Sequence, residues 1–225
     1  MQIMYDRIKR AFIRKGLEER RSRSLLRSMK NIKPLTGVEV EVDGKKMINF
    51  SSNDYLGLSS HPLLRERAEE YIRRYGSGST ASRLVCGNYE CFEHVEKKIA
   101  ELSGRQSALI FNSGFQANAS LLPALAGRET MILSDRLNHN SLIQGCLLSR
   151  CRIETFHHND MGHLEELLKK NREKGKEKRI MIVTESVFSM DGDQSDIETL
   201  IRLSEEYDAF LYIDEAHATG LFGRN

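Results

Sequence analysis

The stretch FLYIDEAHATG, Phe210–Gly220, sets four apolar or aromatic residues directly before Asp214, Glu215, Ala216 and His217. An apolar run without alternation fits a strand covered on both faces. The same kind of run recurs upstream as IMIVT, Ile180–Thr184, and shorter versions fall at Ala108–Phe111, Met131–Leu133 and Ile153–Phe156. Helical patterns lie between them: Phe92–Leu102, a helix opening after Gly114, Leu142–Leu148, Leu164–Asn171 and Ile197–Tyr207. Strands alternating with helices of about ten residues call for βαβ crossovers and a parallel sheet.

Parallel sheets of this kind bind ligands beyond the carboxyl ends of their strands. The residues that follow each run are therefore the informative ones. They are Asn112-Ser113-Gly114-Phe115, then Ser134-Asp135-Arg136-Leu137-Asn138-His139, then Glu185-Ser186-Val187-Phe188-Ser189-Met190-Asp191-Gly192, and finally Asp214-Glu215-Ala216-His217. Titratable, polar and small residues recur at one rim, where such a sheet builds its site.

Ahead of this region the pattern changes. Ile8, Phe12, Ile13 and Leu17, then Leu25, Leu26 and Met29, are spaced for one or two helices. GVEVEVDGKKMINF alternates through Val38, Val40 and Val42, turns at Asp43-Gly44 and continues through Met47, Ile48 and Phe50, a short hairpin. Pro62 opens a helix that runs to Tyr75. The chain thus divides into an N-terminal helical segment with a hairpin, residues 1–48, and a larger α/β region, residues 49–225.

Composition narrows the classes. The chain of 225 residues is 40% hydrophobic and 29% charged, as in ordinary globular domains. No run of about 18 apolar residues exists, so no helical membrane span is expected. The N-terminal MQIMYDRIKRAFIRK lacks the apolar core of a signal peptide, which makes cytoplasm the expected location. A net charge of +2 points to no polyanionic partner, neither nucleic acid nor membrane. The charge is uneven, with Arg7, Lys9, Arg10, Arg14, Lys15, Arg20, Arg21, Arg23, Arg27, Lys30 and Lys33 near the start; this reads as a solvated helix face or a grip for an acidic acyl carrier. Cys86, Cys91, Cys146 and Cys151 form two C-x4-C pairs. Structural zinc sites use tighter loops, commonly C-x2-C, so no metal is expected and the cysteines read as free buried thiols.

Two chemistries compete for the DEAH letters. A magnesium-binding box of the helicase type needs a G-x-x-x-x-G-K-[ST] phosphate loop on an earlier strand. No Gly-Lys-Ser or Gly-Lys-Thr occurs anywhere in the chain, and GSGSTASR offers glycines without the lysine. The other chemistry is that of a pyridine cofactor. Asp214 at a strand tip suits a protonated ring nitrogen, a charge-assisted bond strengthened by low dielectric. A pyridine held protonated is an electron sink, which is how pyridoxal phosphate works. His139 then lies against the ring, Ser113 and Gly114 offer a helix N-terminus to the phosphate, and Ser189 and His217 face the ring hydroxyl and phosphate side. Each of these alone is more often a structural cap; the four rims together carry the reading.

NFSSNDYLGL, GSGSTASRLVCGN, FNSGFQAN, SDRLNHNSLIQG, TESVFSMDGD and IDEAHATGLFG follow one another from Asn49 to Gly223. In content and order they resemble the α-oxoamine synthases, fold-type I pyridoxal-phosphate acyltransferases that condense an amino acid with an acyl thioester and release carbon dioxide. The resemblance implies a three-layer α/β fold around a mostly parallel sheet. It assigns cofactor contacts to Ser113, Gly114, Phe115, His139, Glu185, Ser189, Asp214 and His217, with a catalytic part for His139 as well. Asn53 and His139 are implied at the amino acid, and Arg27, with Arg20 in reserve, at the acyl substrate. It further implies a homodimer with shared sites, in which the Gly76–Ser82 loop faces the partner.

One element of the pattern is missing. The family carries its cofactor on a lysine beyond the DEAH-like strand, whereas the last lysine here is Lys178. The expectation is a cofactor-binding domain lacking its C-terminal part, unable to turn over alone. A non-catalytic relative that dimerises with a full-length partner is the other class of reading.

Overall fold

A computed structural model of the chain describes residues 10–175 and 179–223. Arg7, Ile8 and Lys9 of the expected first helix, the last lysine, Lys178, and Asn225 lie outside the described residues. The backbone divides into two compact units, Met1–Glu69 and Glu70–Asn225.

In the first unit, helix α1 spans Ala11–Ser22 and no residue of it is buried. The expected continuation through Leu25, Leu26 and Met29 is not helical. Ser24 adopts a left-handed conformation at φ 56°, Leu25 N donates to Arg20 O at 2.8 Å and Ser24 N to Arg21 O at 3.0 Å. That pair of bonds closes a helix end and satisfies its last carbonyls. The hairpin is present as β2 (Glu39–Val42) and β3 (Lys45–Ile48), joined by Asp43 and Gly44 at φ 52° and 76°, the two positive values a tight hairpin turn requires. A further strand, β1 (Ile32–Pro34), pairs antiparallel with β2 and makes a three-stranded sheet. The sequence pattern gave no sign of it, because Pro34 weakens a strand reading and is tolerated here on an edge. Helix α2 (Pro62–Tyr75) begins and ends where expected.

The second unit continues with a π-helical turn at Arg83–Gly87, α3 (Glu90–Leu102) and α4 (Gly114–Leu125). Next come β4 (Thr130–Asp135), α5 (Asn140–Leu148), β5 (Arg152–Phe156), α6 (Met161–Lys174), β6 (Arg179–Glu185), α7 (Ile197–Glu206) and β7 (Ala209–Asp214). The four strands are parallel in the order β5-β4-β6-β7. The chain steps from β4 to one side, then returns past it to β6, so the order switches direction between β4 and β6.

Alternation along the strands builds two cores. Met131 and Leu133 of β4 and Ile180 and Ile182 of β6 pack on Leu164, Leu167 and Leu168 of α6 and Leu200 and Leu203 of α7. Ile132, Met181 and Val183 point the other way, against Leu122 and Ala126 of α4 and Leu142 and Cys146 of α5. Each fully buried Leu or Ile contributes roughly 1.5–3 kcal/mol. Both strands must therefore be apolar on both faces, and the result is the expected three-layer α/β fold. Gly145 lets α5 approach α4 closely: a Cβ there would lie 2.5 Å from Asn118 O and 2.8 Å from Leu122 Cδ1.

Three further expectations fail. Ala108–Phe111 is not a strand. Its backbone bonds go to side chains instead, with Ile110 N donating to Glu96 Oε1 at 2.7 Å and Arg83 Nη1 donating to Ile110 O at 3.4 Å. Strand β7 is not covered on both faces, since Phe210 is 54% exposed, and among the described residues it pairs only with β6. Of the four thiols only Cys146 is buried, and Cys86 is exposed. Among the described residues no helix is long and apolar enough to cross a membrane.

Candidate active site

The switch in strand order brings the carboxyl ends of β4 and β6 together, with β7 beside β6. Asp135, Glu185 and Asp214 are the last residues of these three strands. Beyond β4, Asn138 is buried and donates through Nδ2 to Ser134 Oγ at 2.9 Å and to Val183 O at 2.8 Å, tying the ends of β4 and β6. His139 follows on the surface. Its backbone N–H donates to Glu185 Oε1, and its Nδ1 accepts from Ser141 N at 3.2 Å, so His139 caps α5. Ser141 Oγ lies 2.7 Å from the same ring nitrogen.

Asp214 is fixed from two sides. Ala216 N donates to Oδ1 at 2.9 Å and Asn118 Nδ2 donates to Oδ2 at 2.7 Å. Asn118 sits in the second turn of α4, is buried, and also donates to Ser141 Oγ at 2.9 Å. Its Oδ1 accepts from Tyr212 Oη at 2.8 Å. Burial, then the charge of Asp214, pushes the Tyr212 hydroxyl up to about 12, so it stays a donor. One side chain thus joins three elements: α4, the N-terminus of α5, and β7.

The charges at the rim repel. Burial pushes the Glu185 carboxyl above its ordinary range, the bond from His139 N opposes this, and the neighbouring Asp214 and Asp135 push it further up. Three carboxylates around one switch point form a setting that a cationic group relieves.

The structure brings together several of the residues picked from sequence. Asp214, His139 and Glu185 belong to one connected network. Ser113 stands at the N-terminus of α4, but its Oγ accepts from Gln116 N at 3.1 Å and so caps its own helix. Gly114 and Phe115 occupy the first turn, where backbone N–H groups have no intrahelical acceptor. Ser189 lies exposed in the β6–α7 loop and His217 is half-buried in the turn after β7. Arg27 and Asn53 belong to the first unit. There Arg27 lines a recess of about 500 Å³ with Arg20, Leu25 and Leu26, while Asn53 accepts from Tyr55 Oη at 3.5 Å. Asn118, Ser141 and Tyr212 were missed: the first two stand within recognised motifs, yet only the packing shows which way they point.

Fold and rim define an α/β protein whose strand-end carboxylates converge at a topological switch point. The chain belongs to the aminotransferase class I and II family, whose model matches residues 45–225. It is 54% identical over 212 residues to a Desulfosudis oleivorans protein provisionally assigned as 8-amino-7-oxononanoate synthase, covering 94% of this chain and 55% of that one. It is 44% identical over 209 residues to the 8-amino-7-oxononanoate synthase of Geobacter sulfurreducens, covering 93% and 53%. The chain thus spans about half the length of these relatives. Among solved structures, serine palmitoyltransferase of S. paucimobilis with a bound pyridoxal phosphate–myriocin adduct superposes with a TM-score of 0.86 at 25% identity, over 97% of this chain and 55% of that one.

The residues here fit such a cofactor. A protonated pyridine nitrogen would meet the Asp214 carboxylate, which two donors already orient. A Cβ built on Gly114 meets nothing within 4 Å, so the space over the first turn of α4 is open to a phosphate.

Proposed function

We propose that this chain forms the pyridoxal-phosphate-binding part of an 8-amino-7-oxononanoate synthase. The reaction joins L-alanine to a pimeloyl thioester, on coenzyme A or a carrier protein, with loss of carbon dioxide. The observation that carries the reading is the Asp214 carboxylate, held at the β7 tip by Asn118 and Ala216 N. When bound, the cofactor supplies an electron sink for a carbanion at the amino acid's α-carbon.

The chain's own residues have separable tasks. Asp214 keeps a proton on the ring nitrogen by charge-assisted bonding. His139, tied through its backbone to Glu185 and through Nδ1 to Ser141, presents its exposed ring to the cofactor face and the amino acid. The first-turn amides at Gly114 and Phe115, with Ser113, hold the phosphate; Ser189 and His217 meet the cofactor's oxygen substituents, and Glu185 fixes His139 from behind. Asn53 binds the amino-acid carboxylate. The recess between Arg20 and Arg27 offers two cations and two leucines, which suits an acyl chain bearing a distal carboxylate. The resemblance that assigns these roles also implies a homodimer sharing its sites.

All lysines of this sequence precede Asp214, so the amine that carries the cofactor and takes the α-proton comes from outside these residues. These 225 residues by themselves are therefore expected to be inactive. The test is product analysis by mass spectrometry on the full-length natural protein. L-alanine with pimeloyl-CoA is expected to give 8-amino-7-oxononanoate. Product from glycine and acetyl-CoA instead would assign the protein to the glycine acetyltransferase type, and turnover by the 225-residue chain alone would refute the lysine argument.

A further inference from the structure

His158, two residues beyond β5, stands between two carboxylates that no step above uses. Its Nδ1 lies 2.9 Å from Asp135 Oδ1 and its Nε2 lies 2.7 Å from Asp193 Oδ2. The Asp135 side chain is fully buried, and the histidine's is 22% exposed. Asn159 reinforces the bridge from the next position: its backbone N–H donates to Asp135 Oδ2 at 3.0 Å and its Nδ2 donates to Asp193 Oδ2 at 2.6 Å. The ring meets Phe188 edge-on, with centroids 4.5 Å apart.

Asp193 and Phe188 both lie in the β6–α7 loop. That loop is a small closed unit: Phe188 N donates to Asp193 O at 3.0 Å, Gly192 N donates to Phe188 O at 2.8 Å, and Val187 bridges Gln194. Ser189 is in the turn that these bonds close. The charged side chains that face His158 are Asp135 from β4 and Asp193 from the loop; Asn159 and Phe188 complete its surroundings.

A neutral imidazole has one N–H, so it can satisfy only one of two facing carboxylates. We propose that His158 is a positioning residue: as an imidazolium spanning Asp135 and Asp193, it clamps the β6–α7 loop to the strand ends and thereby sets Ser189 at the cofactor. The inference rests on the cofactor reading above. Its electrostatics agree. Burial alone lowers the His158 pKa, but the hydrogen bonds and charges of Asp135 and Asp193 outweigh it, and the net shift is upward. The sign follows: a histidine raised in the fold is fully stabilising below its unfolded pKa of about 6.5, and its contribution is lost as pH rises through the folded value. The clamp therefore loosens on the alkaline side.

The test uses the full-length natural protein and pyridoxal phosphate binding followed by cofactor absorbance across pH. His158→Gln is expected to raise the dissociation constant about tenfold, the size of one charge-assisted hydrogen bond, and to remove the alkaline weakening expected of the wild type. In a Ser189→Ala background the same substitution is expected to have less than about a twofold effect, because the two residues act in series. Equal effects of His158→Gln with and without Ser189 would overturn the inference alone. A wild type that binds no pyridoxal phosphate would overturn the cofactor reading and the inference with it. Nitrogen NMR of the wild-type imidazole, which needs no variant, is expected to show both ring nitrogens protonated at neutral pH; a single proton there would contradict the clamp.

Discussion

The side-chain amide of Asn118 donates to Asp214 Oδ2 at 2.7 Å, joining α4 to the tip of β7 across 96 positions of sequence. Asn118 also bonds Ser141 and Tyr212. Replacing it with alanine removes one of the two donors on Asp214, one of the two partners of the Ser141 hydroxyl and the acceptor of the Tyr212 phenol in a part-buried site. Asn118→Ala is therefore expected to lose about 2–3 kcal/mol of stability, read from urea unfolding, and to weaken pyridoxal phosphate binding. Unchanged binding would mean that Asp214 needs no orienting partner.

Asp214→Asn removes the charge while keeping the side chain's shape. If Asp214 holds the ring proton, turnover in the full-length protein falls by roughly 10²–10³, measured as kcat with saturating substrates. Cofactor content is expected to fall less than rate, since phosphate and ring contacts persist. A variant within about twofold of wild type in kcat would remove Asp214 from the chemistry.

Removing the Glu185 charge is expected to stabilise the fold, where removing Asn118 weakens it. Its carboxyl titrates above the ordinary range in the fold, so its ionisation opposes folding: the stability is greatest below the unfolded pKa of about 4.3 and declines as pH rises through the folded value. Glu185→Gln keeps an oxygen to accept from His139 N and removes the buried charge. Without cofactor, the variant is expected to unfold at a higher temperature than wild type at pH about 7 and at the same temperature near pH 4. Thermal scans at the two pH values test this, and a neutral-pH loss of stability would contradict it.

Gly145→Ala tests the α4–α5 contact that places Asn118. The new Cβ would sit 2.5 Å from the backbone oxygen of Asn118, and a backbone atom cannot step aside cheaply. The cost is expected at about 1–3 kcal/mol, seen as a lowered urea midpoint, together with weaker cofactor binding.

Much of the second unit was legible because its signals are local. β4 and β6 bury both faces, so their apolar runs are unambiguous, and Asp160 and Asp196 cap α6 and α7 through their own side chains. The strand-end rule then placed Asp214, Glu185 and His139 at one rim. What failed depended on partners remote in sequence. Ala108–Phe111 carries a strand's composition, yet its backbone bonds go to Arg83 and Glu96. Asn118 and His158 have no local pattern; their meaning comes from Asp214, Asp135 and Asp193, which only the fold brings near. β1 stayed hidden because Pro34 speaks against a strand until an edge is available for it.

The central claim is that Asp214 keeps a pyridine nitrogen protonated, and the most direct measurement is nitrogen NMR of ¹⁵N-labelled pyridoxal phosphate bound to the full-length natural protein. In the wild type the ring nitrogen is expected to stay protonated well above the pH at which it loses its proton in water, and in Asp214→Asn to be neutral at pH about 7. A ring nitrogen that titrates alike in both proteins, or as it does in water, would contradict the account.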